Sequence, residues 1–271
     1  MRAKTYLYLL LLLFFASCES PILNEDEDIA VEENGNLTIN TFPSDQTRLN
    51  VALYTLEGTR VKQINQKKTD SNFGTVSIRL EPRTYQLLVI SHSSNGNPTM
   101  TDPHKVQFTN AKGFTDTFIH FQTITISDEP VLLNLTLERI TSLCHFVITD
   151  EIPAEVAKIQ FTYRGGSGAF DAKTGLGCVN SIQKATFPVS PEQKRFELYT
   201  YLHDSEGTLK LNAQALDAED NILKEKDFNV PMSRNRVTIL SCDFFSNNSP
   251  FNTAILDFTS DWEGIIYLVT E

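Results

Sequence analysis

The chain has 271 residues, 41% of them hydrophobic and 21% charged, with a formal net charge of −11. That length predicts one large or two modest domains able to bury a core without disulfide or metal staples. Acidic residues outnumber basic ones by 34 to 23, and no basic stripe is present to neutralise phosphates, which argues against a nucleic-acid partner.

Arg2 and Lys4 precede an unbroken apolar run from Tyr6 to Ala16, with the small residues Ala16 and Ser17 just before Cys18. A basic start, a short apolar core and a small-residue exit predict a secretory signal over residues 1–17. The run is about half the ~20 residues that a membrane-spanning helix needs. Phe15-Ala16-Ser17-Cys18 resembles the lipobox of bacterial lipoproteins. The resemblance implies cleavage before Cys18, a diacylglycerol on its sulfur and a third acyl chain on the new amine. One chain holds a protein to a bilayer only marginally, whereas several give durable anchoring. The plainer alternative is an ordinary signal peptide with an incidental cysteine. Glu19, Glu25, Asp26, Glu27, Asp28, Glu32 and Glu33 follow without a basic residue, so residues 18–35 are predicted to be a solvated acidic tether. Such acidic residues also resemble the surface-export signals of Bacteroides-type lipoproteins. That implies an outer-membrane location facing the cell surface.

Beyond the tether the pattern has a period of two. Leu37 to Phe42 is the first predicted strand, closed by Pro43-Ser44-Asp45. In Leu49 to Leu56, Leu49, Val51 and Leu53 alternate with Asn50 and Ala52. Glu57-Gly58 turns into Arg60 to Gln66. Val76 to Leu80, Tyr85 to Ser91, Phe118 to Ile126 and Val131 to Leu137 complete a first sandwich over 36–138, with a polar loop over 93–103. A second sandwich over 139–271 is predicted from strands at 140–149, 158–163, 181–189, 194–203, 209–217, 222–230, 236–245 and 252–259, with a glycine-rich loop at 165–177. The two predicted domains meet at Glu138–Arg139 with almost no linker, which predicts rigid packing.

Motifs for chemistry are sparse, and neither an enzyme nor a cofactor is predicted. Gly165-Gly166-Ser167-Gly168-Ala169 lacks the last glycine of a nucleophile elbow, so Ser167 is expected to be a loop residue. The five histidines are scattered, and no cysteine spacing matches a zinc site. Asp257, Asp261 and Glu263 could hold calcium but are expected to form a solvated turn. Cys144, Cys178 and Cys242 are expected to be buried thiols, with one disulfide plus a free thiol as the alternative. Trp262 is the only tryptophan, the one natural platform if the chain were instead a polysaccharide-binding surface lipoprotein.

Several motifs together resemble the FimB-type minor fimbrial anchor subunits of Bacteroidales, relatives of the fimbrillins. They are Leu49-Asn50-Val51-Ala52-Leu53-Tyr54 with Glu57-Gly58, Leu80-Glu81-Pro82-Arg83-Thr84-Tyr85, Leu135 to Arg139, Phe146 to Ile159, Phe170 to Gly175, and Val230 to Thr238. The resemblance implies two tandem transthyretin-like, Greek-key β-sandwich domains and a part in building or anchoring fimbriae. It also implies strand exchange with pilin subunits, in which an arginine-specific protease removes a first strand and a neighbour's segment fills the groove. From Thr5 to Thr47 there is no Lys or Arg, so Arg48 is the first possible cleavage site, expected in the turn after the first strand. An anchor subunit would keep that bond intact. The expected partner-binding strand near the C-terminus carries Ile255, Leu256 and Phe258, followed by Ile265 to Leu268. The plainer reading of the same residues is core of the second domain.

Overall fold

A computed structural model describes residues 35–42, 45–190, 193–246 and Trp262, together with the backbone of 265–269. The signal segment, Cys18, nearly all of the acidic tether and the predicted strand at 252–259 lie outside the described residues. Every regular element described is a strand. In chain order these are β1 (Leu37–Thr41), β2 (Arg48–Tyr54), β3 (Arg60–Lys67), β4 (Thr75–Ile78), β5 (Arg83–His92), β6 (Val106–Gln107), β7 (Phe118–Ile126), β8 (Val131–Leu135) and β9 (Glu138–Arg139). They continue with β10 (Ser142–Ile148), β11 (Lys158–Arg164), β12 (Ala169–Phe170), β13 (Gln183–Pro188), β14 (Arg195–Thr200), β15 (Glu206–Leu216), β16 (Ile222–Ser233), β17 (Val237–Cys242) and β18 (Ile265–Val269).

The fold is an all-β sandwich architecture. In the first half a sheet of order β4-β1-β8 faces a sheet of order β3-β2-β5-β7-β9. In the second half β14-β10-β17-β18 faces β13-β11-β15-β16. The pairing pattern is the same twice. β1 lies antiparallel to β4 and parallel to β8, as β10 lies antiparallel to β14 and parallel to β17. β2 lies between β3 and β5 with β7 beyond, as β11 lies between β13 and β15 with β16 beyond. β18 has no counterpart in the first half among the described residues.

Period-two alternation explains the two sandwich cores. Leu49, Val51 and Leu53 share one face of β2 and pack with Leu37, Ile39, Val76 and Leu87. Cys144, Phe146, Phe161, Phe196 and Leu240 fill the second core, where Phe146 meets Phe161 edge-on with centroids 5.0 Å apart. A third cluster joins the halves. The opposite face of β2 and β5 offers Ala52, Tyr54, Leu88 and Ile90, which pack with Val106, Phe108, Phe170 and Tyr201. The alternation in β2 therefore marks a strand buried on both faces, not a strand with one wet face.

Two segments outside the predicted strands make this joint, one of them inside the glycine-rich loop. β6 pairs antiparallel with β12, bringing Val106 opposite Phe170 and Gln107 opposite Ala169. Beside this clip, Phe108 N–H donates to the Gly168 carbonyl at 2.9 Å and Ala172 N–H to the Pro103 carbonyl at 2.8 Å. Arg139, just before β10, forms an ion pair with Asp116 at 2.9 Å. Its guanidinium stacks 4.6 Å from the Phe118 ring centroid and 4.0 Å from that of Trp262.

Candidate functional site

The first strand has the geometry of a removable plug. β1 is the central strand of its sheet, with ladders to β4 on one side and β8 on the other. Leu37 and Ile39 are fully buried and Thr41 nearly so, because a strand sends every second side chain to one face. Burying Leu37 and Ile39 stabilises the fold by roughly 1.5–3 kcal/mol each. The strand's ends are tied by side chains. Asn36 donates from Nδ2 to the Leu80 carbonyl at 2.9 Å and accepts from Leu80 N–H at 2.8 Å. Thr41 N–H donates to the Gly74 carbonyl at 2.8 Å. The chain enters so close to β4 that a Cβ on Gly35 would stand 2.5 Å from the Ile78 nitrogen. Taking β1 away would leave a slot between β4 and β8 with backbone groups unpaired on both walls.

Arg48 is not in a turn. It opens β2 and is paired to Lys67 on one side and His92 on the other. Thr47 N–H donates to the His92 carbonyl at 3.1 Å, and Lys68 N–H donates to the Thr47 carbonyl at 2.8 Å. The Arg48 carbonyl accepts from the Ser91 hydroxyl at 3.4 Å. Leu49, across the bond a protease would cut, is fully buried. The expectation of a turn failed because β2 starts at Arg48 itself, where β3 and β5 already supply partners, and not at Leu49. A protease must bind an extended, free segment, so cleavage after Arg48 requires the start of β2 to peel from both neighbours.

The Arg48 side chain enters a buried polar network on the second face of β2. Its Nη1 donates to Asn97 Oδ1 at 3.3 Å. Asn50 Nδ2 donates to Asn65 Oδ1 at 2.7 Å and to Asn97 Oδ1 at 3.0 Å. Gln63 Nε2 donates to Asn65 Oδ1 at 3.0 Å. His92 is fully buried. Its Nδ1 accepts from Ser94 N–H at 3.1 Å, which leaves the ring proton on Nε2 to be donated to Asn50 Oδ1 at 2.8 Å. Burial first, then the Arg48 and Lys112 charges, hold the His92 pKa down at about 3. The network locks β2, β3 and β5 to the loop that carries Asn97. Sequence reasoning missed it because asparagines and glutamines in strands carry the same pattern whether they face water or each other.

Residues 26–267 match the sequence profile of a family of unknown function, DUF6562. The chain belongs to DUF6562. No curated protein matches it. Among solved structures, this DUF6562 chain is similar to a candidate adhesin from Bacteroides ovatus, with 13% identity, a TM-score of 0.52, and coverage of 75% of this chain and 87% of that one. That likeness is one of fold. Weaker likenesses are to the fimbrial anchor protein Mfa2 of Porphyromonas gingivalis (12% identity, TM-score 0.41, 71% and 81% coverage) and to the tip fimbrial protein Mfa3 of the same organism, C-terminally truncated (12%, 0.42, 78% and 95%). At those TM-scores no weight rests on either.

Cys18, Ile255, Leu256, Phe258, Asp257, Asp261 and Glu263 lie outside the described residues. Backbone 265–269 forms β18, parallel to β17. Ser167 is fully buried. Its Oγ accepts from the N–H groups of Ala169 and Val179 at 3.1 and 3.2 Å, so it shapes the turn and is not presented to a substrate. Among the described residues no group of three or more His, Cys, Asp or Glu side chains is placed to hold a metal ion. Cys144 and Cys242 are free and buried, with thiols pushed up to about 12 mainly by desolvation. Cys178 is free but exposed, contrary to the expectation of three buried thiols, because it lies just after the glycine-rich loop and not in a strand. Trp262 is half-buried against Leu143, Val237 and Ile239 and under Arg139. Its ring is therefore already engaged by the protein's own cation. An open groove of about 670 Å³, lined by Phe114, Phe187, Tyr199, Lys184 and Glu197 among others, lies where the loop before β7 meets β13 and β14.

Proposed function

We propose that the chain is a surface lipoprotein that serves as an anchor or minor subunit of a fimbria-like adhesive assembly, of the FimB type that its motifs resemble. Acyl chains on Cys18 hold it in the outer membrane, and the acidic tether carries the folded part clear of the headgroups. Pilin subunits are its partners, joined by β-strand exchange. The fold likeness to a candidate adhesin supports the adhesive class. The observation that carries the reading is the placement of β1, a short central strand whose removal opens a slot with two unpaired walls.

In this reading Arg48 stays uncut. Its place inside the β2 ladders supports retention of β1 and of the lipid on the same chain. A subunit whose own slot stays filled ends a row of exchanging subunits and does not extend it, which is what an anchor requires. Pull-down of the protein from surface extracts tests the partner class. Polymeric pilin is expected to come with it. Capture of a polysaccharide with no pilin would favour glycan uptake instead, with the Phe114–Tyr199 groove as the place to look.

A further inference from the structure

The second half has a strand that the first half lacks. β17 is the counterpart of β8, since each lies parallel to the first strand of its half. The outer edge of β17 is covered by β18. Among the described residues no strand pairs with the outer edge of β8. Val131 N–H donates to the Asn36 carbonyl at 2.8 Å. Ladder bonds to one neighbour recur at every second residue, so the N–H groups of Leu132 and Asn134 point away from β1.

Free strand edges are usually guarded by charge, proline or short length. Here β3 carries Arg60, Lys62 and Lys67, β13 carries Lys184 and Pro188, β14 carries Arg195 and Glu197, and β16 carries Lys224 to Asp227. β4 is only four residues long. β7 is capped at its start by β9 and by the His120–Thr136 hydrogen bond, and beyond that it carries Gln122, Thr123 and Thr125. β8, Val-Leu-Leu-Asn-Leu, has none of these guards. Leu132 is 62% exposed, whereas Ile239 on β17 is 7% exposed. Among the described residues the other edge strand without such a guard is β18, Ile-Ile-Tyr-Leu-Val, at the far side of the second half.

We propose that the β8 edge of one molecule pairs with the β18 edge of a second copy, joining β4-β1-β8 and β18-β17-β10-β14 into one sheet across the contact. Two different edges meet, so the contact is head-to-tail and repeats into an open row instead of closing as a symmetric dimer. Exchange of β18 between copies would only trade one ladder for another. Edge pairing keeps the β17–β18 ladder and adds a new one. The contact goes beyond the fimbrial reading and stands whether or not pilin is captured.

The test uses the full chain in detergent, followed by sedimentation over a range of concentrations. The expected result is a mass that climbs past the dimer without reaching a fixed value. Leu132→Pro removes one outward N–H without touching the β1 ladder and should leave a monomer, as should Tyr267→Lys. Leu132→Lys and Val269→Lys stand in if either first choice melts early. Mixing one variant of each edge leaves one good β8 edge and one good β18 edge, and should restore a dimer and nothing longer. A wild-type chain that stays monomeric, a β18 variant that still dimerises alone, or a mixture that forms longer rows would each overturn the contact.

Discussion

His92 shows how much of this protein's behaviour rests on single buried polar groups. It is held neutral with a pKa of about 3 by burial and by the Arg48 and Lys112 charges, against a value near 6.5 when exposed. The unfolded chain therefore binds a proton that the folded chain refuses. The stability that the neutral ring contributes is present above pH 6.5 and is lost as pH falls from 6.5 toward 3, by up to about 1.4 kcal/mol per pH unit. Urea titrations between pH 7.5 and about 5.5 should show this slope above the window in which carboxylates titrate. In His92→Asn the slope should flatten while stability at pH 7.5 falls. An unchanged slope would show that the ring does not stay neutral in the fold. None of this was legible in the sequence, where His92 is one histidine at the end of a strand. Asn97, which joins Asn50 and Arg48 in the same network, comes from a loop whose path no local pattern specifies. Asn50 was visible only as the polar half of an alternation.

At the level of elements, β1 and β7 were readable almost residue for residue, because Leu37, Ile39 and Thr41 and the Thr-Ile repeat near Ile126 follow the pleat. β6 and β12 were not. Two-residue strands inside Gly- and Pro-containing loops carry no period, and only tertiary packing around Phe170 defines them. The turn expected at Arg48 failed for a similar reason, since β2 gains its first pair from β3 and β5 and not from local preference. The plug account makes β1 energetically separable. Ile39→Ala should cost about 2–5 kcal/mol in the intact chain. A chain starting at Leu49 should have a lower melting temperature, and a peptide spanning 36–42 should raise it in a concentration-dependent way. A peptide with Asp at the Ile39 position should do nothing. If the shortened chain is as stable as the full one, β1 is not a plug.

The whole molecule is two copies of one strand pattern welded by a third core. The copies share pairing, not sequence, which is why no repeat could be seen in the residues. Leu37 and Ile39 face the first core from β1, as Cys144 and Phe146 face the second from β10. Tyr54, Leu88, Phe108, Phe170 and Tyr201 are buried only if both halves are present. Calorimetry should therefore show a single transition. Tyr201→Ala should lower stability by about 3–5 kcal/mol and separate the transition into two. Two transitions in the unaltered chain would mean the joint is weaker than its packing indicates.

Under the proposed function a rigid joint would carry load between a membrane and a filament, and that proposal depends on one covalent bond, the peptide bond after Arg48. Mass spectrometry of the mature protein from the cell surface tests it most directly. The account predicts an N-terminal fragment that begins at acylated Cys18 and runs unbroken through Arg48 and Leu49. A mature N-terminus at Leu49, with β1 and the lipid gone, would contradict it.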